Sequence, residues 1–253
     1  MPTFEEEFQR LRKATMRLSN LGLLSKRIDV RGGANFVREG PNIIVGNHIG
    51  SYKDVGALLK IVPRPIFFTA NEMIFDREKF SWLVRHHLQR HLGRFGSFIH
   101  LLFNPFYSYV VRFISSNIAK VGSIPVNLAG GSRADAIRRC QDYLRVGRAV
   151  IALQGRGRVD GRDPNPYVKP FRKGPAVMSY NLLVEHGLSV PVTPLSIFGT
   201  HVMFLVPTRV KVNVGAPMFI KDYMGGEALE TIARFRDALN ARVESLFLES
   251  LRF

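Results

Sequence analysis

Asn42-Ile43-Ile44-Val45-Gly46-Asn47-His48-Ile49-Gly50-Ser51-Tyr52-Lys53-Asp54 runs from an apolar segment through a histidine and a short loop to an aspartate. The apolar residues are too dense to alternate, which is the pattern of a strand buried on both faces. A helical pattern runs from Asp54 to Ile61. Strand, loop and helix in this order begin a unit that builds parallel sheets, and in such sheets ligands bind just beyond the carboxyl ends of the strands. His48 stands at such an end.

Working outward, similar short runs recur at Ile66 to Thr69, Ser123 to Val126, Ala149 to Leu153, Val190 to Phe198 and Val206 to Val214. Helical patterns at Ala134 to Leu144 and Pro175 to His186 separate several of them. The alternation predicts an α/β fold with a mostly parallel central sheet flanked by helices. The last two runs lie too close for a helical crossover, so they are expected to pair antiparallel. A final helix is expected from about Glu227 to Leu248, with Leu229, Ile232, Leu239, Val243 and Leu246 as its apolar stripe.

The chain has 253 residues, 46% of them hydrophobic, enough to bury a sizeable core. No linker, repeat or low-complexity stretch divides it, so a single domain over residues 1–253 is expected. Within it, residues 1–40 read as an N-terminal helical segment. Thr3-Phe4-Glu5-Glu6 forms a capping-box pattern, and Phe4, Phe8, Leu11, Leu18 and Leu21 share one face of an amphipathic helix. That helix fits docking on the core or lying on anionic lipid.

Residues 73–120 have the least regular pattern and mix aromatic with basic side chains, including Phe75, Trp82, Arg85, Arg94 and Phe98. This composition reads as an aromatic and basic insertion facing a membrane or an acyl chain. It also suits single-stranded nucleic acid. His86, His87 and His91 have no convergent spacing and no acidic or cysteine neighbour, so no metal site is expected.

With 36 Lys and Arg against 20 Asp and Glu, the formal charge is +16. Such a surface attracts polyanions, whether lipid headgroups or nucleic acid. The lone Cys140 precludes an intrachain disulfide and lies in a helical pattern, where a buried thiol is expected. Glu5, Glu6 and Glu7 stand where a signal peptide would carry basic residues, so no signal peptide is expected. No apolar run reaches the ~20 residues that a spanning helix needs, so peripheral attachment at the cytoplasmic side of a membrane is expected.

A histidine at a strand end with an aspartate one loop away suits proton abstraction. The carboxylate can hold the imidazole in one tautomer and stabilise its protonated form. Such a pair can take a proton from an alcohol as it attacks a thioester, with no enzyme nucleophile. Arg156, Arg158, Arg162, Lys169, Arg172 and Lys173 crowd one later loop, and Gly174-Pro175 then opens a helix. This is either a phosphate site at a helix N-terminus or a solvated basic loop.

The stretch Asn47-His48-x-x-Ser51-Tyr52-x-Asp54 resembles the Asn-His-x-Ser-x-x-Asp block of the glycerolipid (lysophospholipid) acyltransferase superfamily. Further blocks follow in the family's order. Gly122-Ser123-Ile124-Pro125-Val126 is similar to its Gly-x-Ile-Pro-Val block. Val150-Ile151-Ala152-Leu153-Gln154-Gly155 is similar to the strand entering its Phe-Pro-Glu-Gly-Thr-Arg block. Phe171-Arg172-Lys173-Gly174-Pro175-Ala176 and Val190-Pro191-Val192-Thr193-Pro194-Leu195 resemble its last blocks. The likeness spans roughly residues 40 to 217.

Five residues separate His48 from Asp54, where the family pattern has four. Gly50 gives the loop freedom to absorb the extra residue. Gln154 stands in place of the family's Glu, and Gly157 falls at its Arg. These departures bear on the acceptor more than on the reaction type.

The resemblance implies an acyltransferase with His48 and Asp54 as catalytic residues. It implies substrate contacts from Asn47, Ser51, Gln154, Gly155, Arg156, Arg158, Arg172 and Lys173. It implies no cofactor; acyl-CoA or acyl-carrier protein would be the acyl thioester donor, and a lysophospholipid or glycerol-phosphate-like molecule the lipid-like acceptor. The expected partner is an anionic membrane surface, with no nucleic acid. Two alternatives remain at this point: the same fold acylating an amine or a specialised lipid, and a non-catalytic binding member.

Overall fold

In the computed structural model the described residues are 6, 11, 16–17, 19–86, 89, 104–120, 122–126, 133–155, 157–159, 161–162, 165–203 and 205–252, without the side chains of 104–107 and 133. Thr3, Phe4, Phe8 and Leu18 of the expected N-terminal helix lie outside them, as do His87, His91, Arg94, Phe98 and Arg156. The chain divides into two compact units, one of Met1–Arg12 with Phe68–Ala136 and one of Lys13–Phe67 with Ile137–Phe253. The fold is α/β, with seven described strands that pair mostly in parallel.

In the larger unit the strands are β1 (Lys26–Arg31), β2 (Asn42–His48), β5 (Ala149–Gly155), β6 (Val192–Phe198) and β7 (Thr208–Val214). Their order is β1-β7-β6-β2-β5. β2 pairs in parallel with β5 on one side and β6 on the other. Ile43, Ile44 and Val45 are fully buried, as the dense apolar run predicts. β6 and β7 pair antiparallel, as their short connection requires. The apolar runs overshoot these two strands, since β6 begins at Val192 and β7 at Thr208, with Val206 exposed before it.

β1 was not expected, because residues 1–40 read as helical. Four of the six residues of its sequence, Lys-Arg-Ile-Asp-Val-Arg, are charged. It pairs with β7 alone among the described strands, so much of it faces solvent and it needs no apolar run. The helical residues before it end at Gly22.

Helix α1 (Tyr52–Ile61) follows β2, and α4 (Gly174–His186) follows β5 after a long loop. Gly187 takes a left-handed conformation and closes α4, its amide donating back to Leu183. The last helix, α5 (Ala228–Leu251), packs on β6, β7 and α4. Its buried stripe is Ile232, Phe235, Leu239, Val243, Leu246 and Phe247. Leu229 does not join it: it is exposed in the first turn, and Phe235 supplies the bulk instead.

In the smaller unit, β3 (Ile66–Asn71, beginning two residues earlier in the larger unit) pairs in parallel with β4 (Ile124–Val126). Residues 77–86 are helical, and the Asp76 carboxylate caps them by accepting from the amides of Glu78 and Lys79. Helix α2 (Asn104–Asn117) lies in the stretch that had no regular sequence pattern. Helix α3 (Arg133–Arg145) continues into the larger unit and carries Cys140, whose burial pushes its thiol up to about 12. Among the described residues no helix is long and apolar enough to cross a membrane, and no cluster of His, Cys, Asp or Glu could hold a metal ion.

Candidate active site

β2, paired on both sides, delivers His48 to the carboxyl edge of its sheet. Asn47, one residue earlier, fixes the geometry there. The β2–β6 pairing stops at Gly46 and Leu195. Beyond it the buried Asn47 side chain takes over, accepting from the Ile197 amide at 2.7 Å and donating to the Ile197 carbonyl at 2.9 Å. It also donates to the Tyr167 carbonyl at 3.1 Å, which anchors the loop before α4. Asn47 thus bridges backbone segments around the site.

The five-residue loop closes on Asp54. The Asp54 Oδ2 lies 2.7 Å from His48 Nδ1 and also accepts the amides of Ile49 at 2.9 Å and Gly50 at 2.8 Å. Three donors converge on one oxygen, so the extra residue is absorbed without losing the contact. Asp54 has no exposed side-chain surface, whereas His48 keeps 24%. A carboxylate can only accept, so Nδ1 carries the proton and Nε2 of a neutral ring presents its lone pair.

Gly50 is needed because the chain passes close by: a Cβ there would overlap Thr200 and come within 2.8 Å of Asp54 Oδ1. Neither that oxygen nor the Thr200 hydroxyl has a hydrogen-bond partner among the described residues. Ser51 stands at the N-cap position of α1 but makes no side-chain capping bond. It is exposed, and its φ of 55° is the only positive value among described non-glycine residues. Such a conformation costs an L-residue about 1–3 kcal/mol.

Gly155 pairs with His48 across the sheet, and Gly157 donates its amide to the His48 carbonyl at 3.2 Å. A Cβ on Gly157 would lie 3.0 Å from His48 Nε2 and 3.1 Å from Ser51 Cα. The loop after β5 therefore wraps the imidazole closely, and the glycine leaves room before Nε2. Gln154 is buried. Its Oε1 accepts from the Arg172 amide at 3.1 Å, and its Nε2 donates to the Ala152 carbonyl at 3.1 Å. This pins the chain just before α4. Arg172 and Lys173 are exposed at the N-terminal end of α4, and Arg158 is half-buried beside Gly157.

Sequence reasoning left three contributors without a role. Thr200 and His201 begin the loop after β6. The His201 ring rests against Tyr167 and Phe198, with its Nδ1 buried and unpartnered among the described residues. Burial lowers its pKa, and the positive charges of Lys53 and Lys26 lower it further against the opposing pull of Asp54. Gly157 was visible only as a mismatch in a motif; its value lies in a close approach that no sequence pattern records.

No family model matches this sequence, and no curated protein matches it. Among solved structures, the chain is similar to the crystal structure of the 1-acyl-sn-glycerophosphate acyltransferase PlsC from Thermotoga maritima. The two are 19% identical, with a TM-score of 0.53, and the match covers 97% of this chain and 84% of that one. At that identity the likeness establishes the fold.

Proposed function

We propose that the protein is an acyltransferase. It moves a fatty acyl group from acyl-CoA or acyl-carrier protein to a hydroxyl of a lysophospholipid or glycerol-phosphate-like acceptor. It works at the cytoplasmic side of a membrane to which it binds peripherally. The observation that carries this reading is the Asp54–His48 pair, closed by a 2.7 Å contact at the carboxyl end of β2, with the His48 side chain 24% exposed. The fold shared with a structurally characterised acyltransferase supports the reaction class.

In this reading Nε2 takes the acceptor's hydroxyl proton as its oxygen attacks the thioester carbonyl. Asp54 holds the Nδ1 proton and stabilises the imidazolium. The tetrahedral intermediate collapses, the C–S bond breaks, and the imidazolium returns the proton to the leaving thiolate. An ester and a free thiol result. Arg158, Arg172 and Lys173, with the N-terminus of α4, offer positive charge to a phosphate of acceptor or donor.

A second acceptor class, an amine or a specialised lipid, is favoured by one observation. Gln154 is neutral, and its amide is occupied by backbone. The test is to incubate the purified protein with oleoyl-CoA and separate acceptors: lysophosphatidic acid, other lysophospholipids, and amine-bearing lipids. Thiol release and product mass are followed together. An acylated lysophosphatidic acid supports the first reading, and an amide product the second. No thiol release with any acceptor or with acyl-carrier protein would leave a non-catalytic binding protein.

A further inference from the structure

Large apolar side chains exposed singly on a surface need no explanation, but a contiguous group does. Leu21, Leu24, Tyr52, Met203, Leu205 and Val206 are all exposed, between 44% and 77%. They come from three chain segments of the larger unit that hydrogen bonds fasten together. The buried Lys26 ammonium donates to the carbonyls of Met203 at 2.8 Å and Val206 at 2.6 Å. The buried Lys53 ammonium donates to the Val202 carbonyl at 2.6 Å. The Thr208 amide donates to the Ser25 carbonyl, and the Tyr52 ring passes within 3.0 Å of where a Cβ on Gly22 would stand. Lys26 and Lys53 thus clamp the backbone of a loop whose Met203, Leu205 and Val206 side chains are exposed.

We infer that this surface docks on an anionic lipid bilayer. Exposed Arg17, Arg27 and Arg209 lie on the same segments. The sequence has no Asp or Glu between Glu7 and Asp29 or between Glu185 and Asp222, so these two stretches carry the arginines without a carboxylate of their own, and Asp29 next to them pairs with Arg27. Exposed aliphatic side chains on segments that also carry exposed arginines match the boundary between acyl chains and anionic headgroups. A second copy of the chain would bring these arginines against each other. Nucleic acid would meet leucine and methionine, which offer bases no ring to stack on.

The location deepens the proposed function and rests on it for its purpose. The clamped loop starts at Thr200, beside Gly50 and Asp54, and Tyr52 and Lys53 directly precede Asp54. Docking here sets the His48–Asp54 pair at the membrane surface, where a lipid acceptor lies.

The experiment is co-sedimentation with vesicles of phosphatidylcholine and phosphatidylglycerol, using the full chain and a Met203→Asp/Leu205→Asp variant. Both residues are exposed, so the variant should keep the wild-type thermal midpoint. Its vesicle partition should fall at least about tenfold, the scale set by losing two inserted side chains. A Leu205→Cys variant, labelled with an environment-sensitive fluorophore, should shift to the blue on adding vesicles; the buried Cys140 leaves that site selective. His48→Ala should bind vesicles as wild type does, so failure of the catalytic reading leaves the binding result intact. Unchanged partition of the double variant, with no fluorophore shift, would overturn the inference. So would a dimer that the double variant dissociates, or binding to single-stranded DNA that it abolishes.

Discussion

Gly157 stands directly before Nε2 of His48: a side chain there would begin 3.0 Å from that nitrogen. The same glycine has a φ of +70°, which an L-residue adopts only at a cost. Gly157→Ala should therefore leave the Asp54–His48 contact in place while obstructing the acceptor's approach. Turnover should fall about 10²-fold, the penalty of a misplaced reactant. Steady-state kinetics of the folded variant check this, and wild-type rates would show that the acceptor reaches Nε2 from another side.

Asn47 is expected to matter for stability and hardly at all for chemistry. Asn47→Asp replaces its donor with an acceptor, leaving the carbonyls of Tyr167 and Ile197 unpaired beside a buried charge. A loss of about 3 kcal/mol or more is expected. Thermal or urea denaturation measures it. A variant as stable as wild type but unable to bind substrate would restore Asn47 to the list of direct contacts.

Ser51 holds a backbone conformation that glycine adopts freely. Ser51→Gly should raise stability by about 1 kcal/mol, moving Tm up by roughly 2–4 °C. Ser51→Ala keeps the Cβ and should gain nothing. Equal melting points for the two variants would show that the loop is not strained at Ser51.

His201 should make the fold acid-sensitive. Its pKa lies below the ordinary value because burial and two neighbouring ammonium groups oppose its charge. Above pH ~6.5 the ring is neutral whether folded or unfolded, and the native state is not penalised. As pH falls below that value the unfolded chain protonates first, and stability drops until the native ring also protonates. Urea midpoints from pH 7 to pH 5 should fall less steeply in His201→Gln than in the wild type. Parallel slopes would place the acid sensitivity elsewhere.

The sheet was legible because its buried strands are apolar on both faces: Ile43 to Val45 and Val150 to Ile151 can hardly be anything else. β1 was not, since a strand paired on one side tolerates Arg27, Asp29 and Arg31. The His48–Asp54 pair was legible from residue types and spacing together with the family resemblance of the blocks around it. Its closure through the amides of Ile49 and Gly50 was not, because backbone donors leave no trace in side-chain patterns. Asn47, Gln154 and Gly157 show the same limit. The first two were read as substrate contacts, yet their side chains bond to backbone. Gly157 looked like a defect in a motif, yet it sets the space around the imidazole.

The most direct measurement is the rate of free-thiol release from acyl-CoA by His48→Ala, at saturating acceptor, with circular dichroism confirming the fold. Removal of a general base typically costs ~10² to 10⁴ in rate, and a loss in that range is expected here. Asp54→Asn, which breaks the support of Nδ1, should also be severely impaired. Near-wild-type thiol release by a folded His48→Ala variant would contradict a general-base role for His48.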